Sequence, residues 1–199
     1  MTKGRLEAFS DGVIAIIITI TILLIDLPEG NEWPDLVHNL PIVGSYLISF
    51  IIVGTNWVNH HHLLQVTREV NGKILWANLL YLFPLSFIPV TTGWVGRSMF
   101  SMVPVTVYVL MNLANAGTYL LLERAIICSQ NSEIMKDAVD EHRKEIWTIG
   151  IELIALLLSF IKGAHYWSCP LLVVAFAPWI IPDLRMKRVY EESRCAATN

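Results

Sequence analysis

The sequence is poor in charged residues. Only 16% of its 199 residues are Asp, Glu, Lys or Arg, whereas soluble domains carry about 25%. The net charge of -3 also lacks the basic excess that a nucleic-acid-binding surface needs. Hydrophobic residues make up 54% of the chain, and the mean hydropathy is +0.53. This balance excludes a water-soluble globule, a disordered chain and a nucleic-acid binder, and it indicates a polytopic membrane protein.

Cysteine is scarce as well. Cys128, Cys169 and Cys195 are the only three in the sequence, and none belongs to a CxxC pair, so a disulfide scaffold, a redox motif and a zinc ribbon are not predicted. The patterns GxSxG, HExxH, GxGxxG and the P-loop are absent too. We therefore predict no enzyme, no catalytic residue, no metal site and no cofactor.

What the sequence does contain is long apolar runs. A helix needs about 20 mostly apolar residues to cross a bilayer, and helices satisfy their own backbone polar groups there. These runs predict an all-α membrane protein, a single domain over residues 1–199, with six transmembrane helices at residues 6–27, 40–62, 74–95, 102–122, 146–161 and 166–181. The amphipathic segment 125–145 is predicted to be a cytoplasmic connection, and residues 183–199 a cytoplasmic tail.

The basic residues predict the orientation of these helices. If the N-terminus lies inside, all 14 Lys and Arg residues except Arg97 and Lys162 fall on the inner side. Inner loops of membrane proteins carry the excess of Lys and Arg. Both termini are therefore predicted to be cytoplasmic.

The start of the first run carries a polar cluster that includes Arg5, Ser10 and Asp11. A carboxylate at membrane depth must face protein or water, and it needs a partner. Arg5 is not on the same helical face as Asp11, so it suits a neighbouring helix or subunit better. Alternatively, Ser10 or Asp11 caps a helix that begins at Gly12.

An apolar stripe follows this cluster. Ile16, Ile20 and Leu23 recur at helical spacing, and Thr19 flanks them. One interpretation is ordinary helix packing. The other is a pore lining, because hydrophobic constrictions can gate ions by dewetting and a nearby hydroxyl can contact a partly hydrated cation.

Two further groups carry polar chemistry inside the predicted bundle. His60, His61 and His62 point about 100° apart on a helix, so one chain cannot use all three on one metal. We expect one or two of these imidazoles to bond the region of Ser10 and Asp11. Glu152 lies within the fifth run, where a lone carboxylate is either paired or functional.

The pattern Arg5-x-x-x-Phe9-Ser10-Asp11, at the start of the first of six runs, resembles the signature of the transmembrane-protein-175 family of potassium channels. The resemblance in size, topology and motif position covers essentially the whole chain. With one six-helix unit, the chain resembles the prokaryotic members, which are homotetramers.

The resemblance implies a role for each of these residues. The first helix of four subunits would line the pore, with its narrowest ring at Ile16, a continuation at Ile20 and Leu23, and selectivity at Thr19. A structural network would hold that helix through the following residues: Arg5, Phe9, Ser10, Asp11, Trp57 and His61.

We therefore expect a passive cation channel with a modest preference for potassium, in a prokaryotic inner membrane. Its partners would be its own copies, the lipid bilayer and the permeant potassium ions. Selectivity would be modest because no cage of carbonyls replaces the hydration shell. Two alternatives stay open: a proton-coupled or metal-exporting secondary transporter that uses Glu152 and the histidines, and a non-conducting membrane scaffold.

Overall fold

The computed structural model describes residues 2–26, 28, 30–67, 69–130 and 143–180. Over these residues the protein is helical and contains no strand, which confirms the all-α prediction. The helices are α1 (Lys3–Ile22), α2 (Trp33–His38), α3 (Leu40–Gln65), α4 (Gly72–Leu85), α5 (Ile88–Arg97), α6 (Met102–Gln130), α7 (Arg143–Ser159) and α8 (Ser168–Ile180). A short 3-10 helix, His165–Trp167, precedes α8.

Within the described ranges, three stretches are long and apolar enough to cross a membrane by length and composition, namely Leu40–Gln65, Gly72–Arg97 and Met102–Ser129. The six-span topology and the cytoplasmic termini stay predictions. Of the predicted connection 125–145, residues 125–130 continue α6, and α7 begins at Arg143. Residues 131–142 lie outside the described residues, as does the predicted tail, 183–199.

The third apolar run is divided into two helices. Proline lacks a backbone N–H, and its ring collides with the carbonyl four residues earlier in a continuous helix. Pro89 stands in the first turn of α5, so α4 ends at Leu85 and the chain turns before Ile88. The last residues of α4 still hold the turn, since the Ser86 amide donates to the Leu82 carbonyl at 3.0 Å.

The first helix is shorter than the first apolar run. It ends at Ile22, and Leu23 and Leu24 form a turn. The chain beyond is held from outside the helix: the Asn39 amide donates to the Asp26 carbonyl at 2.8 Å, and Arg97 donates to the Leu24 carbonyl at 3.3 Å. These bonds satisfy backbone oxygens that further helix would otherwise use.

The contact between α3 and α5 depends on small residues. A Cβ atom on Gly96 would lie 2.5 Å from the Ile42 Cα, so only glycine permits this approach of the two helices. The Ser49 hydroxyl lies 2.6 Å from the Thr92 hydroxyl and 2.8 Å from that of Tyr108 on α6. Since α1 packs against α3, α4 and α5, this interface sets the surface on which α1 lies.

Candidate functional site

Helix α1 has two faces with opposite environments. Its buried face consists of Leu6, Ser10, Ile14, Ile17 and Thr21. Its open face includes Phe9, Ile16, Thr19 and Ile20, and Leu23 continues this face in the turn after the helix; all five are exposed. Ile16 is 56% and Leu23 78% exposed, whereas Ile17 is 5% exposed. The predicted stripe therefore lies on the side of α1 that the chain's own core does not cover.

Each face of α1 carries one threonine, Thr19 on the open face and Thr21 on the buried face. The Thr19 hydroxyl donates within its own helix, to the carbonyls of Ala15 and Ile16, each at 3.0 Å. The Thr21 hydroxyl does the same on the buried face, to Ile17 at 2.6 Å. A hydroxyl that has donated its hydrogen keeps oxygen lone pairs. Thr19 is exposed, so its oxygen lies on the open face of α1.

The buried face is tied to α3 and α4 by a chain of polar side chains. The Asn78 amide nitrogen donates to the Ser10 hydroxyl at 2.9 Å, and the Asn78 amide oxygen lies 2.8 Å from Nε2 of His60. Because an amide oxygen only accepts, Nε2 of His60 carries the hydrogen. All three residues are fully buried. Asn78 therefore joins α1 to α3 through two bonds.

The next residues extend this chain toward α6. The His60 ring stacks on Tyr81 with centroids 5.2 Å apart, and the Tyr81 hydroxyl donates to the Asn56 amide oxygen at 3.3 Å. The Asn115 amide donates to the Tyr81 carbonyl at 3.3 Å. Tyr81 is fully buried at the centre of this arrangement. Sequence reasoning missed it, because a tyrosine within an apolar run gives no signal of its position.

Asp11 is held separately, by Trp57 on α3. The indole Nε1 donates to the Asp11 carboxylate at 2.9 Å. The His61 ring stacks on Trp57 with centroids 6.1 Å apart, and its Nε2 lies 2.8 Å from the Gln65 amide nitrogen. His61 thus touches only the edge of the network, and His60 is the imidazole inside it. The geometry joins Ser10 to Asn78 on α4 and Asp11 to Trp57 on α3.

The remaining two motif residues do not join this network. Arg5 and Phe9 are both exposed. Within the described part of the chain, the Arg5 guanidinium makes no hydrogen bond or ion pair. The partner expected for Arg5 on a neighbouring helix or subunit stays a prediction.

An ion pair ties the end of α1 to α5. Arg97 Nε donates to the Asp26 carboxylate at 2.9 Å. Both side chains are largely exposed. The sequence signal for this pair is slight, because Asp26 and Arg97 merely stand near the ends of two apolar runs.

Glu152 on α7 is fully buried. Neither carboxylate oxygen has a hydrogen-bond partner among the residues that the structure describes. In the same residues, no group of three or more His, Cys, Asp or Glu side chains could hold a metal ion. Glu152 is thus a buried carboxyl group with no hydrogen-bond partner among the described residues.

Comparisons with known proteins agree over most of the chain. The family model described as the endosomal/lysosomal potassium channel TMEM175 matches residues 5–89. The chain is 43% identical over 198 residues to a curated potassium channel of a Chryseobacterium species, covering 97% of this chain and 100% of that one. It is 31% identical to a potassium channel of Streptomyces collinus, covering 87% of each.

A solved structure is similar as well. It is the crystal structure of a lysosomal potassium-selective channel TMEM175 homolog from Chamaesiphon minutus. The TM-score is 0.72 at 26% identity, and the match covers 92% of this chain and 97% of that one.

Proposed function

This chain belongs to the TMEM175 family of channels, and from that premise we propose that it is a potassium-preferring cation channel. It conducts passively as a homotetramer, and four copies of α1 line its pore. The relatives from Chryseobacterium and Streptomyces carry the name potassium channel, which supports this proposal.

The observation that carries the proposal is the open face of α1. Ile16, Ile20 and Leu23 lie exposed on a helix whose other face is bonded to its own subunit. Thr19 lies among them, and a polar oxygen suits a water-filled path better than lipid. A closed symmetric assembly around this face would bring four identical stripes to one axis.

The mechanism follows from the side chains of the open face. A ring of Ile16 residues forms the narrowest point and controls the wetting of the path, and Ile20 and Leu23 extend this apolar section. Thr19 contacts a partly hydrated ion, which favours potassium over sodium. The Ser10, Asn78 and Trp57 contacts hold α1 in place, so that the four stripes stay in register.

The proposed setting is a prokaryotic inner membrane, crossed six times, with both termini in the cytoplasm. The three stretches that are long and apolar enough to span a bilayer support a multi-pass arrangement. The distribution of Lys and Arg supports the orientation.

The test is potassium flux from liposomes that contain the purified full chain. We expect Ile16→Asn to raise the flux, because a polar side chain keeps water in the constriction. The matched control is Ile154→Asn, since Ile154 on α7 is 52% exposed and lies off the proposed path. Equal effects of the two substitutions, or no flux from the unsubstituted chain, would contradict the proposal.

Proton-coupled transport is a second candidate, favoured by one observation: the carboxyl group of Glu152 is buried and has no hydrogen-bond partner in the described part of the chain. A carboxyl group without partners in the membrane can bind and release a proton. This candidate requires flux that depends strictly on a pH gradient and is lost in Glu152→Gln. The channel proposal instead requires flux that follows the membrane voltage and survives that substitution.

A further inference from the structure

A surface cleft lies where α4 begins and α6 ends. The two helices pack side by side and run in opposite directions, so these ends meet at the same face of the bundle. Lys73, Trp76, Arg124, Cys128 and Ser129 are among the residues that line the cleft. This site is separate from the open face of α1.

Among the described residues that line the cleft, the charged ones are Lys73 and Arg124, both basic. Lys73 and Arg124 are exposed, and neither side chain has an ion pair or hydrogen bond within the described ranges. No acidic residue is found among those described as lining the cleft. Glu123, beside Arg124 in the sequence, is buried instead. Two basic side chains that line the same cleft are complementary to an anion.

The position of the cleft relative to the membrane indicates which kind of anion would bind there. Gly72 begins one stretch long enough to span a membrane and Ser129 ends another. In a bilayer crossed by these two stretches, the cleft would lie at the boundary between hydrocarbon and water. Trp76 is 75% exposed beside it. Tryptophan is enriched at this boundary, where its ring sits among lipid headgroups. The proposed orientation puts this boundary on the cytoplasmic side.

We propose that this cleft binds the phosphate headgroup of an anionic phospholipid of the inner leaflet. Lys73 and Arg124 bind the phosphate, and Trp76 packs along the upper acyl chain. Arginine suits this role because its guanidinium can donate two hydrogen bonds to one phosphate. The inference uses the membrane orientation but not the pore, so it stands or falls independently of ion conduction.

The test is native mass spectrometry of the full chain in detergent, titrated with phosphatidylglycerol, phosphatidylcholine or inorganic phosphate. We expect phosphatidylglycerol to bind more tightly than phosphatidylcholine, and inorganic phosphate not to compete. The substitutions Lys73→Ala and Arg124→Ala should each weaken phosphatidylglycerol binding about fivefold, the factor expected for one basic side chain near an anionic surface.

Two controls make the result specific. Lys162→Ala removes an exposed cation at the far end of α7 and should leave binding unchanged. The paired exchange Lys73→Arg and Arg124→Lys keeps both charges and should retain binding, which separates charge from damage to the fold.

Several outcomes would overturn the proposal. One is equal binding of the two lipids by the unsubstituted chain, which needs no variant at all. Competition by inorganic phosphate would make the cleft a site for a free ion. A loss in Lys162→Ala as large as in Arg124→Ala would mean diffuse attraction. A changed subunit number in Lys73→Ala would make the cleft a subunit interface.

Discussion

Ile16 and Ile17 are neighbours on α1 with identical side chains and opposite environments. Ile17 packs into the hydrophobic core and is 5% exposed, whereas Ile16 is 56% exposed. The threonines repeat the contrast, since Thr21 is buried and Thr19 exposed. Residue type therefore does not decide the role of a position on α1. Whether a position is buried or exposed depends on the rotation of α1. The hydrogen bonds of Ser10 to Asn78 and of Asp11 to Trp57 hold that rotation.

The largest effect is expected from breaking the contacts of the buried face. Asn78→Leu leaves the Ser10 hydroxyl and the His60 Nε2 without partners, and each such buried group costs about 1–3 kcal/mol. We expect a marked drop in the temperature at which the chain in detergent loses its monodisperse form. Asn31→Leu, the same change at an exposed asparagine, is the control. Similar melting of the two variants would mean that the network does not stabilise α1.

The next largest effect on stability is expected at Ile17, and Ile16 beside it provides the matched comparison. Ile17→Ala leaves a cavity in the core and should cost about 2–5 kcal/mol of stability. Ile16→Ala leaves none within the subunit, so its melting should change little while its potassium flux changes. Thermal melting and liposome flux on the same preparations check both halves. If Ile16→Ala melted as early as Ile17→Ala, the open face would be buried between subunits as plain packing, without a path.

A smaller effect is expected from the two threonines. Thr19→Val keeps the shape of the side chain and removes the oxygen proposed to contact the ion. We expect the ratio of potassium to sodium permeability to fall several-fold, since the preference rests on one weak contact per subunit. Thr21→Val should leave this ratio unchanged, because its hydroxyl is buried against its own helix. Reversal potentials under mixed ions measure both, and an unchanged ratio in Thr19→Val would assign selectivity elsewhere.

The smallest effect is expected at the ion pair between Asp26 and Arg97. Both side chains are largely exposed, and exposed pairs are screened by salt and contribute little. Asp26→Asn should lower the melting temperature slightly at low ionic strength and not at all at high ionic strength. A large drop that persists in high salt would mean that this pair, rather than the buried face, holds the end of α1.

The family and the general class of the protein were predictable from particular residues. The motif of Arg5, Phe9, Ser10 and Asp11 pointed to the family, and the comparisons confirm that membership. Because the family and these relatives are named as channels, the prediction that the chain is not an enzyme is confirmed as well. The roles of Ile16, Thr19, Ile20 and Leu23 in the pore stay predictions.

Other features were beyond the sequence. Three consecutive histidines differ only in their direction around α3, so nothing in their order distinguishes His60 from His61. Which histidine enters the network depends on the rotation of α3 relative to α4. That rotation places Nε2 of His60 2.8 Å from the amide oxygen of Asn78 on α4. The break between α4 and α5 was similarly hidden, because Pro84 and Pro89 are tolerated in membrane helices when neighbours satisfy the freed backbone groups.

The apolar runs by themselves determined that the chain forms helices, because a backbone with no water to bond must bond to itself. The tertiary structure alone decided which side of α1 is covered. Isoleucines occur all around that helix, so burying either side would remove similar apolar area, and periodicity could not rank the two. The decision came from Ser10 and Asp11, whose partners Asn78 and Trp57 are brought within reach only when the helices pack.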